Sequence, residues 1–149
     1  FLFRLVPLEK MEMVELTPSF MLEYESLDKD HQHLADIVNQ IIKAIDDDEA
    51  EKCEGLVGDF VKSAKEHFAN EEALLVNAGY PNVKKHQDHH KSLNTQMDHM
   101  IEFAEMAGEN QMARDSLRKE LVFFLMDDVI TTDMEFKNFI EETAKPEKA

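Results

Sequence analysis

His67 and Glu71 stand four residues apart, and fifteen residues after Glu71 a second pair begins at the same spacing, His86 and His90. A four-residue step advances only about 40° around an α-helix, so each pair projects two metal-ligating side chains from one face. Two such pairs on separate helices point to one metal site. His31 upstream, and Asp128 and Asp133 downstream, add candidate donors on either side of the pairs. Mixed imidazole and carboxylate ligation suits iron, manganese or zinc. More than four donors in one place favours two ions, with Glu71 and Asp133 able to bridge because a carboxylate offers two oxygens.

These donors need elements that bring them together. With 4 Gly and 4 Pro in 149 residues, long stretches rich in Leu, Met, Ala, Glu and Lys run unbroken and favour helix. Four long helices are expected, over about 28–46, 50–77, 81–107 and 112–142. Leu34, Ile37, Val38, Ile41, Ile42 and Ile45 form the apolar stripe of the first. The acidic run 46–49 closes it and favours the next helix through the dipole and capping. Gly79-Tyr80-Pro81 and Gly108-Glu109-Asn110 supply the later turns. Short turns between long helices force antiparallel neighbours, so the expected fold is an all-α, up-down-up-down antiparallel four-helix bundle. Neighbouring axes about 8–10 Å apart let inward side chains from all four helices meet. Each helix carries a candidate at compatible depth: His31; His67 and Glu71; His86 and His90; Asp128 and Asp133.

The chain divides into an N-terminal arm (1–26), the bundle (27–142) and a C-terminal tail or linker (143–149). Thr17-Pro18 and the apolar Phe20, Met21 and Leu22 suggest an ordered arm. The apolar start, Phe1 to Leu8, is too short to span a bilayer, and nothing reads as a complete signal peptide. A net charge of −16 argues against a nucleic-acid surface and against anionic membranes. Cys53 is the sole cysteine, which precludes an intramolecular disulfide and suits a reducing cytoplasm.

Three motifs resemble the bacterial hemerythrins, oxygen-binding di-iron four-helix bundles, over about residues 16–141. Leu27-Asp28-Lys29-Asp30-His31-Gln32-His33-Leu34 resembles the first-helix motif of that family. His67-Phe68-Ala69-Asn70-Glu71-Glu72 resembles its His-Phe-x-x-Glu-Glu. Gly79-Tyr80-Pro81 with His86 and His90 resembles its Gly-Tyr-Pro turn and His-x-x-x-His. The resemblance implies two iron ions, oxo- or hydroxo-bridged, with His31 as a ligand, His67, His86 and His90 as terminal ligands and Glu71 as a bridge. It also implies O2 or a small anion as exogenous ligand and a hydrophobic wall from Leu75, Phe124, Leu125 and Val129.

The fourth helix departs from the family pattern. Asp133 fits the second bridging carboxylate, but Asp128 occupies the usual histidine slot, while Leu16 and Glu23 stand where Trp and Gly are usual. The five-residue step from Asp128 to Asp133 rotates about 140° on an ideal helix, too far for one face. A π-type bulge near Ile130 is therefore expected. A ligating Asp128 would add negative charge beside iron and favour the ferric state. Being shorter than His, Asp128 could also ligate through water or not at all, leaving an open position. Either outcome favours oxygen or redox sensing with fast autoxidation over storage, with a partner or fused domain reading the signal. A di-iron oxidase or peroxidase is the alternative, and an oxygen carrier the next.

His33, His89 and His99 fall off the ligand faces and are expected at the surface. Cys53 reads as a surface or half-buried thiol, and the nine methionines as core filler.

Overall fold

The computed structural model describes residues 13–140 and contains four antiparallel helices packed as a bundle, with no strand among the described residues. Helix α1 spans Glu25–Asp46, and α2 spans Cys53–Ala78. The third bundle helix consists of α3 (Val83–Ser92) and α4 (Asn94–Met106), separated by a turn at Leu93. The fourth begins as α5 (Gln111–Phe123), widens to a π-helix over Phe124–Thr131 and tightens to a 3-10 turn at Met134–Phe136. The stretches Phe1 to Leu8 and 143–149, and the last two residues expected in the fourth helix, lie outside the described residues.

The helix ends follow local chemistry. Gly79 ends α2 in the left-handed conformation (φ 75°), and Tyr80 N–H reaches back 3.0 Å to the Leu75 carbonyl, as a glycine C-cap permits. Asn110 caps α5 by accepting from Ala113 N–H. The acidic run does not cap: neither Glu49 nor Lys52, at the two helix starts that follow it, makes a side-chain cap. The Glu49 carboxylate instead binds Lys52 at 2.8 Å, since pairing with a nearby ammonium competes with capping.

The described part of the arm lies along the bundle. Val14 exchanges two hydrogen bonds with the Asn39 side chain, and Phe20 and Leu22 are buried. The Asp28 carboxylate accepts from the backbone N–H groups of Leu22 and Glu23, clamping the arm at the start of α1. Glu23 takes a left-handed φ of 60° there, which explains why glycine suits this position.

The core falls into two apolar clusters. The larger contains Leu34, Ile41, Phe60, Phe68, Leu93, Leu121, Phe124 and Ile130 among others, and the smaller contains Leu22, Leu27, Leu75, Phe136 and Ile140. α1, α2 and the fourth helix contribute buried residues to both, the third meets the smaller cluster through half-buried Val83, and on each helix a buried polar residue lies between the two contributions. Along α1 the order is Leu27, His31, Leu34; along the fourth helix it is Ile130, Asp133, Phe136. A polar layer thus crosses the bundle. Cys53 is fully buried in the larger cluster rather than at the surface, because the 3-10 turn Ala50–Lys52 carries the chain inward just before it.

Candidate metal centre

The polar layer consists of His31, His67, Glu71, His86, His90 and Asp133, all at most 5% exposed. Charged and polar side chains at such burial need close partners. Their donor atoms form two groups, His31/His67/Glu71/Asp133 and Glu71/His86/His90/Asp133, and within each all ligand atoms lie within 4.8 Å of one another. Each group holds two imidazoles, and the same two carboxylates belong to both. The four-residue steps on α2 and α3 place His67 beside Glu71 and His86 beside His90, while α1 supplies His31.

All four imidazoles turn Nε2 toward the shared carboxylates. His31 Nε2 lies 2.8 Å and His67 Nε2 3.0 Å from Asp133 Oδ2. His86 Nε2 contacts Glu71 Oε1 and lies 3.4 Å from Asp133 Oδ1. His90 Nε2 stands 3.1 Å from Glu71 Oε1 and His67 Nε2 3.0 Å from Glu71 Oε2, yet His90 Nε2 and Glu71 Oε2 have no hydrogen-bond partner among the described residues. These atoms converge without pairing, and buried polar atoms left so are costly. A cation between them would satisfy both, and nitrogen with oxygen donors in this number fits iron, manganese or zinc.

The electrostatics agree. Burial alone would lower the pKa of His67, but Asp133, Asp30 and Glu71 outweigh it and hold the imidazole well above its ordinary range. Burial likewise opposes protonation of His86, whereas Asp133 and Glu71 raise it to about 9. Asp133 is pushed upward by burial, but Glu71, His31, His67 and His86 together bring it well below the usual carboxylate range. The cluster demands positive charge, supplied by protons or by metal.

Two acids to which the sequence reading gave no role complete the layer. Asp30 Oδ2 lies 3.0 Å from His67 Nδ1, and Glu72 Oε2 lies 2.7 Å from His90 Nδ1. Their sequence signal was adjacency: Asp30 precedes His31 and Glu72 follows Glu71.

Asp128 belongs to neither donor group. It is half-buried, its side chain faces Gln96 across the helix interface, and its Oδ2 has no hydrogen-bond partner among the described residues. Burial raises its carboxyl pKa, and the neighbouring Asp127 and Glu120 add to the rise against His89. The helix around it is π-helical from Phe124 to Thr131, as expected, but the distortion does not bring Asp128 into the donor groups with Asp133. His89 is half-buried and not at the surface: its Nε2–H donates to the Asp128 carbonyl at 2.9 Å. His33 and His99 are exposed, as is Glu23. Leu75, Phe124, Leu125 and Val129 are all at most 1% exposed, with Leu75 in the smaller apolar cluster and the other three in the larger, on opposite sides of the layer.

Among the described residues no helix is long and apolar enough to cross a membrane. The family model described as hemerythrin HHE cation binding domain matches residues 22–139. No curated protein matches the chain.

Proposed function

The chain belongs to the hemerythrin HHE cation-binding domain family, and from that membership we propose that it is a non-haem di-iron protein that binds O2 and senses oxygen or redox state rather than storing oxygen. The observation carrying this reading is the pair of four-donor groups that share Glu71 and Asp133. His31 and His67 would hold one ion, His86 and His90 the other, and the two carboxylates would bridge. Bound iron supplies the redox couple and the coordination position at which O2 or a small anion attaches. The residues around it bury the site: Leu75, Phe124, Leu125 and Val129 restrict water on both sides of the layer.

Asp128 is the basis for preferring sensing. Its position outside both groups supports the reading in which it makes no direct bond, leaving two imidazoles to each ion and an open position beside His86 and His90. A site with fewer imidazole donors and more access to exogenous ligand oxidises readily, which suits a signal better than storage. The same open position favours a second reading, an oxidase or peroxidase of this fold. The proposed division remains an arm over 1–26, a bundle over 27–142 and a tail or linker over 143–149, through which a fused or separate signalling domain would read the site. The single, fully buried Cys53 accords with a cytoplasmic location.

Iron loading, anaerobic reduction and stopped-flow mixing with O2, with azide added to the oxidised form, tests the proposal. Two irons per chain and rapid conversion to the ferric form are expected. A long-lived oxygenated spectrum would replace sensing by carriage, sustained peroxide turnover would establish the enzyme, and an iron content well below two would remove the dinuclear centre.

A further inference from the structure

Each half of the polar layer has one histidine held from behind by an acid on a different helix. His67, on α2, has its Nδ1 bound by Asp30 of α1 at 3.0 Å; His90, on α3, has its Nδ1 bound by Glu72 of α2 at 2.7 Å. The two imidazoles are 1% and 5% exposed at the side chain, whereas the acids are 35% and 29% exposed. The acids therefore form the rim between solvent and the buried donors. A hydrogen bond to Nδ1 fixes both the tautomer and the plane of an imidazole, and so the direction of Nε2. In both cases Nε2 points to the shared carboxylates: to Asp133 and Glu71 for His67, and to Glu71 for His90.

The division is clean. Asp30 touches a histidine of the His31/His67 group, and Glu72 one of the His86/His90 group. His31 Nδ1 has no hydrogen-bond partner among the described residues, so within this group it is His67 whose ring an acid, Asp30, orients. Because each acid and its histidine sit on neighbouring helices, each strap also ties the ring's direction to the packing of one helix pair.

We infer that Asp30 and Glu72 are positioning residues, one for each half-site, and that each sets the affinity of one ion independently of the other. The inference rests on the metal-binding reading above. It makes the two half-sites separately addressable: loss of one strap weakens the binding of one ion without altering any residue of the donor groups.

Anaerobic titration of the chelator-treated protein with Fe(II), followed by isothermal calorimetry, provides the test, with Asp30→Ala and Glu72→Ala compared against wild type. Wild type should take up two ions. Each alanine variant should retain one binding step and weaken the other by about 10- to 100-fold, the scale at which such outer partners act. Asp30→Asn and Glu72→Gln, which keep an acceptor oxygen for the ring N–H, should fall between. Each alanine variant also leaves a buried Nδ1 without its acid, so the metal-free forms should melt below wild type, and Asp30→Asn and Glu72→Gln should recover part of that loss. Two wild-type steps that survive unchanged in both alanine variants would overturn the inference alone. Equal weakening of both steps by either variant would overturn the independence of the half-sites, and a wild type that binds fewer than two ions would overturn the metal reading along with it.

Discussion

The ring of His89 donates to the backbone carbonyl of Asp128 across 2.9 Å, tying the third helix to the middle of the π-helix in the fourth. The two preceding carbonyls are also taken by side chains: Thr131 Oγ1 donates to Met126 O at 2.6 Å and Thr132 Oγ1 to Asp127 O at 3.2 Å. Three side chains thus donate to three successive carbonyls within the π-helix. His89→Ala should destabilise the protein by about 1 kcal/mol, the scale for an acceptor losing its partner in a half-buried site. Urea unfolding of the metal-free protein measures this, and an unchanged midpoint would show that the bond contributes nothing to holding the π-helix.

The Asp128 side chain, in contrast, belongs to neither donor group and interacts with Gln96. Asp128→His would lengthen the side chain and add an imidazole on the π-helix. We expect this variant to bind the second ion about tenfold more tightly, about 1.4 kcal/mol, and to autoxidise more slowly than wild type. Stopped-flow oxidation of the reduced forms decides it; equal rates would remove Asp128 from the explanation of reactivity.

Glu23 sits at φ 60° while the Asp28 carboxylate grips its N–H, so the strain is held in place by the arm clamp. A non-glycine residue in this conformation costs about 1–2 kcal/mol, of which glycine forfeits about half through its freer unfolded chain. Glu23→Gly should therefore stabilise by about 0.5–1 kcal/mol, whereas Glu23→Ala should yield no such gain. Thermal melting of the two variants separates backbone strain from the loss of the carboxylate.

How much of this was legible in the sequence depended on the kind of signal. The convergence of His67, Glu71, His86 and His90 followed from helical spacing; the π-helix was expected so that Asp128 and Asp133 could share a face, yet it is present with Asp128 outside both donor groups. The turn at Leu93 carried no such mark, because neither Gly nor Pro stands there. Asp30 and Glu72 were hidden for a different reason: in a chain with 32 acids, an acid beside a candidate ligand looks like any solvated one. Only the distance to an imidazole on another helix distinguishes them. That Asp128 stays outside the donor groups and meets Gln96 is likewise a relation that sequence spacing does not reveal.

Protonation of the layer gives the metal-free protein a distinctive pH profile. His86 rises from an ordinary 6.5 to about 9 on folding, and His67 rises well above its ordinary value. A raised folded-state value means stability that is complete below about 6.5 and lost as pH climbs toward about 9. Asp133, shifted downward, contributes the opposite slope in acid, with stability lost as pH falls below its ordinary 3.8. The metal-loaded protein should reverse the alkaline trend, because ligation requires deprotonated imidazoles. Melting temperatures of chelated and loaded samples between pH 6 and pH 9, a range of about one imidazole titration, should therefore diverge as pH rises; parallel curves would contradict the assignment of these histidines to the metal.

The last prediction separates shared from unshared donors. Asp133 approaches imidazoles of both groups, lying 2.8 Å from His31 on one side and 3.4 Å from His86 on the other, whereas His90 belongs to one group only. Removing a donor from one half leaves the other half with its two imidazoles and both carboxylates, so His90→Ala should reduce metal content from two ions toward one. Asp133→Ala deprives both halves at once and also leaves buried imidazoles without the carboxylate that holds their charge. It should abolish both binding steps and lower the stability of the metal-free protein by about 3 kcal/mol or more, as expected when one partner is deleted from a buried charged cluster. Metal analysis of the dialysed variants provides the count. Equal metal content in the two variants would mean that Asp133 does not bridge and that the two groups do not share their carboxylates as the bundle places them.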